Sequence, residues 1–72
     1  MKVRDLVMFN DLGTYAKWFY GKFAIAESVS QNLNTGDWHC RVRWLQPVLY
    51  HGRYTSVSDF GVNKFEVCNE TR

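Results

Sequence analysis

Seventy-two residues allow one domain and leave no room for two, and a chain of this size hides only about 60% of the surface that its unfolded form exposes. With 46% hydrophobic residues, including three Trp, four Tyr and five Phe, the composition excludes a disordered chain and supplies a dense aromatic core. Nine Lys and Arg against seven Asp and Glu give a formal net charge of +2, which is too small to name a nucleic-acid partner by itself.

The cysteine content and the hydrophobic pattern indicate a cytosolic protein. Cys40 and Cys68 are far apart, and a disulfide scaffold of this size carries about four to eight cysteines. No apolar run approaches the roughly 20 residues needed to span a bilayer, and the first residues do not form a signal peptide. We therefore expect no membrane association, and a location in the cytosol or in a particle assembled there.

The first predicted strand covers residues 3–9. Its apolar cluster ends at the turn-like sequence of residues 10–13. Residues 14–20 are rich in rings but have no regular period, and we interpret them as a long first loop.

The second predicted strand begins near Gly21. Phe23, Ile25 and Val29 alternate with small or polar residues, so these three are predicted to face the core. Glu27 falls on the same face. A β-bulge, or a position at the mouth of a barrel, would place its carboxylate in water.

The third predicted strand has the clearest pattern in the chain, and it follows a hairpin loop at residues 30–37. Residues 38–44 alternate strictly, which does not fit a helical period of 3.6. The inward residues are Trp38, Cys40, Val42 and Trp44, and the outward residues are His39, Arg41 and Arg43.

Pro47 is expected to end this strand, since proline cannot donate to a sheet ladder. A short aromatic strand is predicted at residues 48–54, with Gly52 permitting a bend. Residues 58–60 resemble a capped turn. A last strand at residues 64–68 then closes the sheet.

Five short strands, a long early loop and a helical turn before the last strand resemble the SH3-like barrel. Residues 3–7 (VRDLV) look like the entry strand of such domains, and residues 21–25 (GKFAI) look like their second strand. The chain also resembles small uncharacterised phage proteins in its third and fourth strands. A further resemblance is to the small SH3-like protein of photosystem I, through residues 42–44 (VRW), Val48, Tyr50, Gly52 and residues 61–63 (GVN). These likenesses imply an all-β, five-stranded SH3-like barrel over residues 1–72, and they transfer no function because small barrels serve many.

The rings divide between core and surface. Trp38, Trp44, Phe23 and Phe65 are predicted to be core residues. The rings predicted to be partly exposed, and therefore free to dock a partner, are Trp18, Tyr20, Tyr50 and Tyr54.

A basic face is the alternative binding surface. Arg41 and Arg43 share the outward face of the third strand, and Lys22 would lie beside them if the second and third strands pair. With neighbouring rings, such cations would suit single-stranded nucleic acid, in which bases stack while phosphates are neutralised. The same pattern also describes a solvated sheet face that binds nothing.

Catalysis and metal binding have little support. Structural zinc needs paired ligands two to four residues apart, and His39 and Cys40 point to opposite faces of a strand. Cys40 faces inward, where a thiol is inert, and no phosphate-binding glycine loop is present. A barrel of this size is also expected to lack an internal pocket of roughly 300 Å³. We expect no enzyme activity, no cofactor and no metal.

The leading hypothesis is a non-catalytic adaptor or accessory subunit with a protein partner. The alternative is a weak, non-specific nucleic-acid-binding protein, and a structural role in a larger assembly is a third reading. Homodimers formed through exposed sheet edges are also possible. The candidate partner-binding residues are Trp18, Tyr20, Lys22, Arg41, Arg43, Tyr50 and Tyr54.

Overall fold

The computed structural model describes residues 1–68, which are mostly strand. The strands are β1 (Leu6–Phe9), β2 (Phe23–Gln31), β3 (Trp38–Tyr50), β4 (Arg53–Gly61) and β5 (Phe65–Val67). A short helix, α1 (Ala16–Phe19), lies between β1 and β2, and a 3-10 turn (Val62–Lys64) lies between β4 and β5. The prediction of five strands with a helical turn before the last one is confirmed.

All five strands join one antiparallel sheet in the order β4-β3-β2-β1-β5. Phe60 in β4 and Phe65 in β5 belong to the two outermost strands, yet their ring centroids are only 6.0 Å apart. The sheet therefore curls on itself, which is compatible with a small barrel-like fold. The all-β prediction is confirmed.

The inner face of the curled sheet buries a core built around Phe9. This ring is fully buried and packs against three other phenylalanine rings at centroid distances of 5.0 to 5.8 Å, those of Phe19, Phe60 and Phe65. Trp44 is buried as predicted and stacks on Phe19 at 5.0 Å. Burying a side chain of this kind contributes about 1.5–3 kcal/mol, so these rings supply much of the stability of the fold.

β2 presents alanines to the core rather than its larger side chains. Ala24 and Ala26 are 0% and 1% exposed, whereas Phe23 is 43% exposed and Ile25 is partly exposed. The prediction that these two larger residues face inward was wrong. Ala24 lies directly opposite Trp44, and a small side chain beside a large indole lets the inner layer pack without strain.

A register shift at Glu27 explains the rest of the β2 pattern. The pairing with β3 is irregular between Ala26 and Ser28, which is a β-bulge. The bulge reverses the alternation, so Val29 packs against the core although the residues of its parity before the bulge face outward. Glu27 is exposed, as a bulge at this position predicts.

The start of β3 alternates as predicted, with one exception. Cys40, Val42 and Trp44 are buried and the residues between them are exposed. Trp38, which was predicted to be in the core, is 52% exposed. It is the first residue of the strand and lines an open groove with Met1, Val29 and Val62.

The chain after Trp44 forms a hairpin instead of a separate short strand. The predicted strand at residues 48–54 was wrong, because β3 continues to Tyr50 and β4 begins at Arg53 after a two-residue turn. Residues 58–60, predicted to be a capped turn, lie within β4. Thirteen residues make β3 the longest strand of the described chain.

Pro47 lies inside β3 without ending it. The pairing of β3 with β4 is irregular between Arg43 and Val48, so the ladder demands no hydrogen bond from the proline nitrogen. Proline is tolerated in sheets at such irregularities.

The first and last strands are shorter than predicted. β1 begins at Leu6, because the preceding residues form a turn in which the Asp5 carboxylate accepts a hydrogen bond of 2.7 Å from the backbone N–H of Lys2. β5 ends at Val67, which is 45% exposed, whereas Phe65 is buried.

The region predicted as a long first loop contains α1, a single helical turn. Phe19 is 2% exposed and ties this turn to the core. In residues 1–68, no helix has the length and apolar character needed to cross a bilayer.

Candidate partner-binding site

Four rings gather where α1 meets the β3–β4 hairpin, and we call them the aromatic cluster: Tyr15, Trp18, Tyr50 and His51. The ring of Trp18 lies 4.8 Å from that of Tyr50, edge to face, and 4.8 Å from that of His51. Tyr50 and His51 are 4.2 Å apart, and Tyr15 lies 6.2 Å from Tyr50. Two of the contact residues predicted from the sequence, Trp18 and Tyr50, are therefore brought together from distant parts of the chain.

The core fixes the helix side of this cluster. Phe19 stacks almost parallel on Trp44, with 19° between the ring planes, so the short helix cannot rotate freely. Tyr15 and Trp18 are three residues apart and lie 6.4 Å from each other, on one side of the turn. Tyr15 is 38% exposed and Trp18 is half-buried, which leaves apolar surface for a partner.

The hairpin turn fixes the strand side. His51 and Gly52 have φ angles of +51° and +77°, which a two-residue type I′ turn requires. Such turns favour Asn-Gly, and histidine is among the non-glycine residues that adopt the left-handed region more often than most. This backbone conformation turns the His51 ring against Trp18 and Tyr50.

An open groove of about 350 Å³ runs beside the cluster. Its lining residues come from α1, β3 and β4: Tyr15, Phe19, Tyr50, Thr55, Val57, Ser58, Asp59 and Phe60. The expectation concerned pockets inside the sheet. This groove is instead open to solvent and lies on the surface between α1 and β4. The groove combines aromatic rings with the hydroxyl groups of Thr55 and Ser58 and the carboxylate of Asp59, so its lining is mixed polar and apolar.

Two cations flank the aromatic cluster. The ammonium group of Lys17 lies 4.5 Å from the ring centroid of Trp18, in cation–π geometry. Arg53 lies directly opposite Tyr50 in the hairpin. Within residues 1–68, neither Lys17 nor Arg53 forms an ion pair, so both charges remain available.

The predicted basic strand face is neutralised. Arg41 donates to Asp59 with Nε···Oδ1 at 2.9 Å, and Arg43 donates to Glu27 with Nε···Oε2 at 2.6 Å. The hydrogen bond from Arg41 lowers the pKa of the Asp59 carboxyl below its ordinary value. Two carboxylates therefore balance the two guanidinium groups across β2, β3 and β4.

The other predicted contact residues lie apart from both surfaces. Lys22 was predicted to lie beside the arginines if β2 and β3 pair. The strands do pair, but Arg41 lies opposite Ser28 and Arg43 opposite Ile25, and Lys22 precedes β2. Instead it lines a separate groove of about 320 Å³. Tyr20 is 50% exposed just after α1. Tyr54 is 73% exposed and pairs with Leu49 on the hairpin.

Sequence reasoning missed several members of the site. Tyr15 was included only in the ring-rich residues 14–20, and His51 was not assigned to a binding surface. Lys17 was not considered, although its position next to Trp18 on a helical turn was a local signal. The proximity of Trp18 to His51 has no signal in the sequence, since it depends on long-range packing.

Two features of the described residues concern metal binding and thiol reactivity. No cluster of three or more His, Cys, Asp or Glu within residues 1–68 has the arrangement needed to hold a metal ion. Burial raises the pKa of the Cys40 thiol to about 11, so it is protonated at neutral pH and is not a nucleophile.

Comparison of the chain with protein-family models, with curated proteins and with solved structures finds no match.

Proposed function

We propose that this chain is a small SH3-like binding module, without enzymatic activity, that docks a protein partner on the aromatic cluster and the adjoining groove. The SH3-like assignment is supported by the position of β1 between β2 and β5 and by the 3-10 turn directly before β5. The module would act as an adaptor or accessory subunit.

The observation that carries the proposal is the incomplete burial of the cluster. Other rings fill the core, and Trp18 and Tyr50 pack against it while they stay partly exposed, together with Tyr15, in contact with one another. Trp and Tyr dominate the energetic centres of protein interfaces, because they bury a large area and lose little side-chain entropy. A preorganised group of rings beside an open groove suits such an interface.

A binding experiment with the intact chain tests the proposal. Wild-type protein is used as bait in an extract, and the captured proteins are identified and then reconstituted as purified pairs. We expect Trp18→Ala to reduce the affinity of the reconstituted pair by about 2 kcal/mol or more, the effect of losing a hot-spot residue. Circular dichroism checks that the variant is folded.

Two control variants separate the cluster from other exposed groups. Tyr54→Ala removes an exposed ring outside the cluster, and Arg43→Ala removes a cation of the neutralised strand face whose partner, Glu27, does not line the groove. Both are expected to leave the affinity nearly unchanged. Equal affinity for the wild type and Trp18→Ala would reject the cluster as the docking site.

Nucleic-acid binding is the second candidate function. Arg41 and Arg43 are paired with carboxylates, so the cations that favour it are Lys17 and Arg53 beside the rings. Its signature is an affinity for oligonucleotides that falls steeply with salt. An affinity that is absent or insensitive to salt would reject it. Self-association through the outer edges of β4 and β5 stays a prediction.

A further inference from the structure

Acidic residues are missing from the segments that build the aromatic cluster. No Asp or Glu lies between Asp11 and Glu27, a stretch that contains α1. None lies between Asp37 and Asp59, a stretch that contains β3 and the hairpin. In both of these stretches, every residue with a full charge at neutral pH is a Lys or an Arg.

The pairing of charges sharpens this asymmetry. On the outer sheet face, Arg41 and Arg43 are matched by carboxylates. At the cluster, Lys17 lies over Trp18 and Arg53 lies opposite Tyr50, and no carboxylate in residues 1–68 pairs with either cation. Among the described residues, no ion pair has to be broken before these two cations can attract a partner's carboxylates.

His51 adds a hydrogen-bond donor at the same place. The turn would accept Asn with less backbone strain than His at a φ of +51°. The residue instead places an imidazole, which carries an N–H donor, against the rings of Trp18 and Tyr50.

From this placement, and resting on the proposed function, we infer that the partner's docking segment is acidic. It is a protein segment with an apolar or aromatic anchor for the ring groove, flanked by Asp or Glu side chains. The carboxylates pair with Lys17 and Arg53 and accept from His51. The carboxylate at the rim of the groove, Asp59, is paired with Arg41. The unpaired charges beside the rings are therefore positive, and their complementarity to an acidic segment favours specificity and fast association.

The ring geometry favours an acidic peptide over a nucleic acid. Base stacking requires a free ring face. One face of Trp18 is occupied by the ammonium group of Lys17, and Tyr50 and His51 approach the same ring at 4.8 Å. The rings of the cluster meet in tilted and edge-to-face contacts. They therefore form an uneven surface that suits inserted apolar side chains better than a flat stacked base.

NMR titration of the intact, isotope-labelled chain tests the inference with defined probes. Three short synthetic peptides share the same Leu and Phe positions and differ only in the intervening residues, which are Glu, Gln or Lys. An oligo(dT) of similar length is the fourth probe. We expect the Glu peptide to bind most tightly, to shift the amide resonances of residues 15–18 and 50–53, and to weaken as salt is raised.

Matched charge reversals locate the effect. The double variant Lys17→Glu/Arg53→Glu is expected to weaken the Glu peptide about tenfold and to strengthen the Lys peptide. The control, Lys2→Glu/Arg4→Glu, reverses the same number of charges at the other end of β1, where Arg4 bonds to Ala26, whereas Phe9 at the near end bonds to Gly21 and Lys22 beside α1. It is expected to change neither affinity by more than about twofold.

The outcomes separate this inference from the proposed function. Equal binding of the Glu, Gln and Lys peptides, or equal losses in the two double variants, overturns the acidic partner while leaving the ring cluster as a docking site. Tighter binding of oligo(dT) than of the Glu peptide assigns the surface to nucleic acid. No resonance shift with the Glu peptide at about 1 mM overturns the inference directly. Loss of affinity in Trp18→Ala, measured on the reconstituted partner, still tests the proposed function on its own.

Discussion

Arg41 and Asp59 face each other directly across strands β3 and β4, and the guanidinium group donates two hydrogen bonds to the carboxylate, at 2.9 and 3.3 Å. Both side chains are more than half exposed. An exposed pair of this kind contributes little to the stability of the fold. Its main effect is on surface charge, because it neutralises a guanidinium group on the strand face that the sequence pattern predicted to be basic.

The first prediction concerns the pH dependence of this pair. The pKa of Asp59 is lowered by the hydrogen bond from Arg41, so the stabilisation is present above the ordinary pKa of an aspartate and is lost as the pH falls through the lowered value. We compare wild type with Asp59→Asn by urea denaturation at pH 7 and at progressively lower pH. The difference in unfolding free energy should be small at pH 7 and should shrink toward zero in acid. A difference that grows on acidification would contradict the pairing.

A second prediction concerns the buried indole of Trp44. Its Nε1 donates to the hydroxyl of Ser58 at 2.9 Å, and the ring is only 3% exposed. Ser58→Ala leaves this N–H without its acceptor, which should cost about 1–3 kcal/mol. In the background of Trp44→Phe, which has no donor, the same change should cost much less. A double-mutant cycle by chemical denaturation measures the coupling, and additive effects would show that the bond contributes nothing.

The third strand was predictable because its alternation is long and one-sided. Seven residues with a thiol, a valine and an indole on one face fit a half-buried strand and no helix. The polar Glu27 also led to the prediction of a β-bulge or a position at a barrel mouth, and the structure has the bulge, although the face to which Glu27 was assigned points outward.

β2 was harder to interpret because the larger residues were assigned to the core. Inside a tight barrel, volume is limiting, and Ala24 faces inward because Trp44 opposite it already fills the space. The sequence of one strand does not show how large the side chains on the neighbouring strand are. For the same reason, the aromatic cluster could be predicted only in part, since Trp18 and Tyr50 are 32 positions apart and meet through packing.

A third prediction concerns the two thiols. The pKa of Cys40 is raised to about 11, first by burial and then by the negative charge of Asp59, whereas Cys68 is only half-buried. In native protein at pH 8, a thiol-reactive disulfide reagent should modify Cys68 rapidly and Cys40 only on unfolding. Cys68→Ser should abolish the fast phase and leave the slow one. A fast phase that survives in that variant would place Cys40 within reach of solvent.

The same shift in Cys40 has a consequence for stability at alkaline pH. Since the folded state holds the proton more tightly, stability is retained below the ordinary pKa of 9.0 and falls as the pH rises from there through about 11. Cys40→Ala should flatten this alkaline decline, which thermal melts across that range would measure. An unchanged slope would mean that other groups cause it.

The last prediction separates stability from binding at the hairpin turn. His51→Asn creates Asn-Gly, the preferred pair for a type I′ turn, while removing a ring that contacts Trp18 and Tyr50. Turn preference and lost ring contacts each amount to roughly 1 kcal/mol and oppose each other, so we expect Tm to change by less than about 4–8 °C. Gly52→Ala, at a φ of +77°, is the contrasting variant and should cost about 1–2 kcal/mol, because no side chain compensates its strain. If His51 is present for recognition, its replacement by Asn weakens binding of the acidic peptide although the fold is intact. Unchanged affinity would mean that the imidazole serves the turn alone, and that Lys17 and Arg53 carry the charge recognition without it.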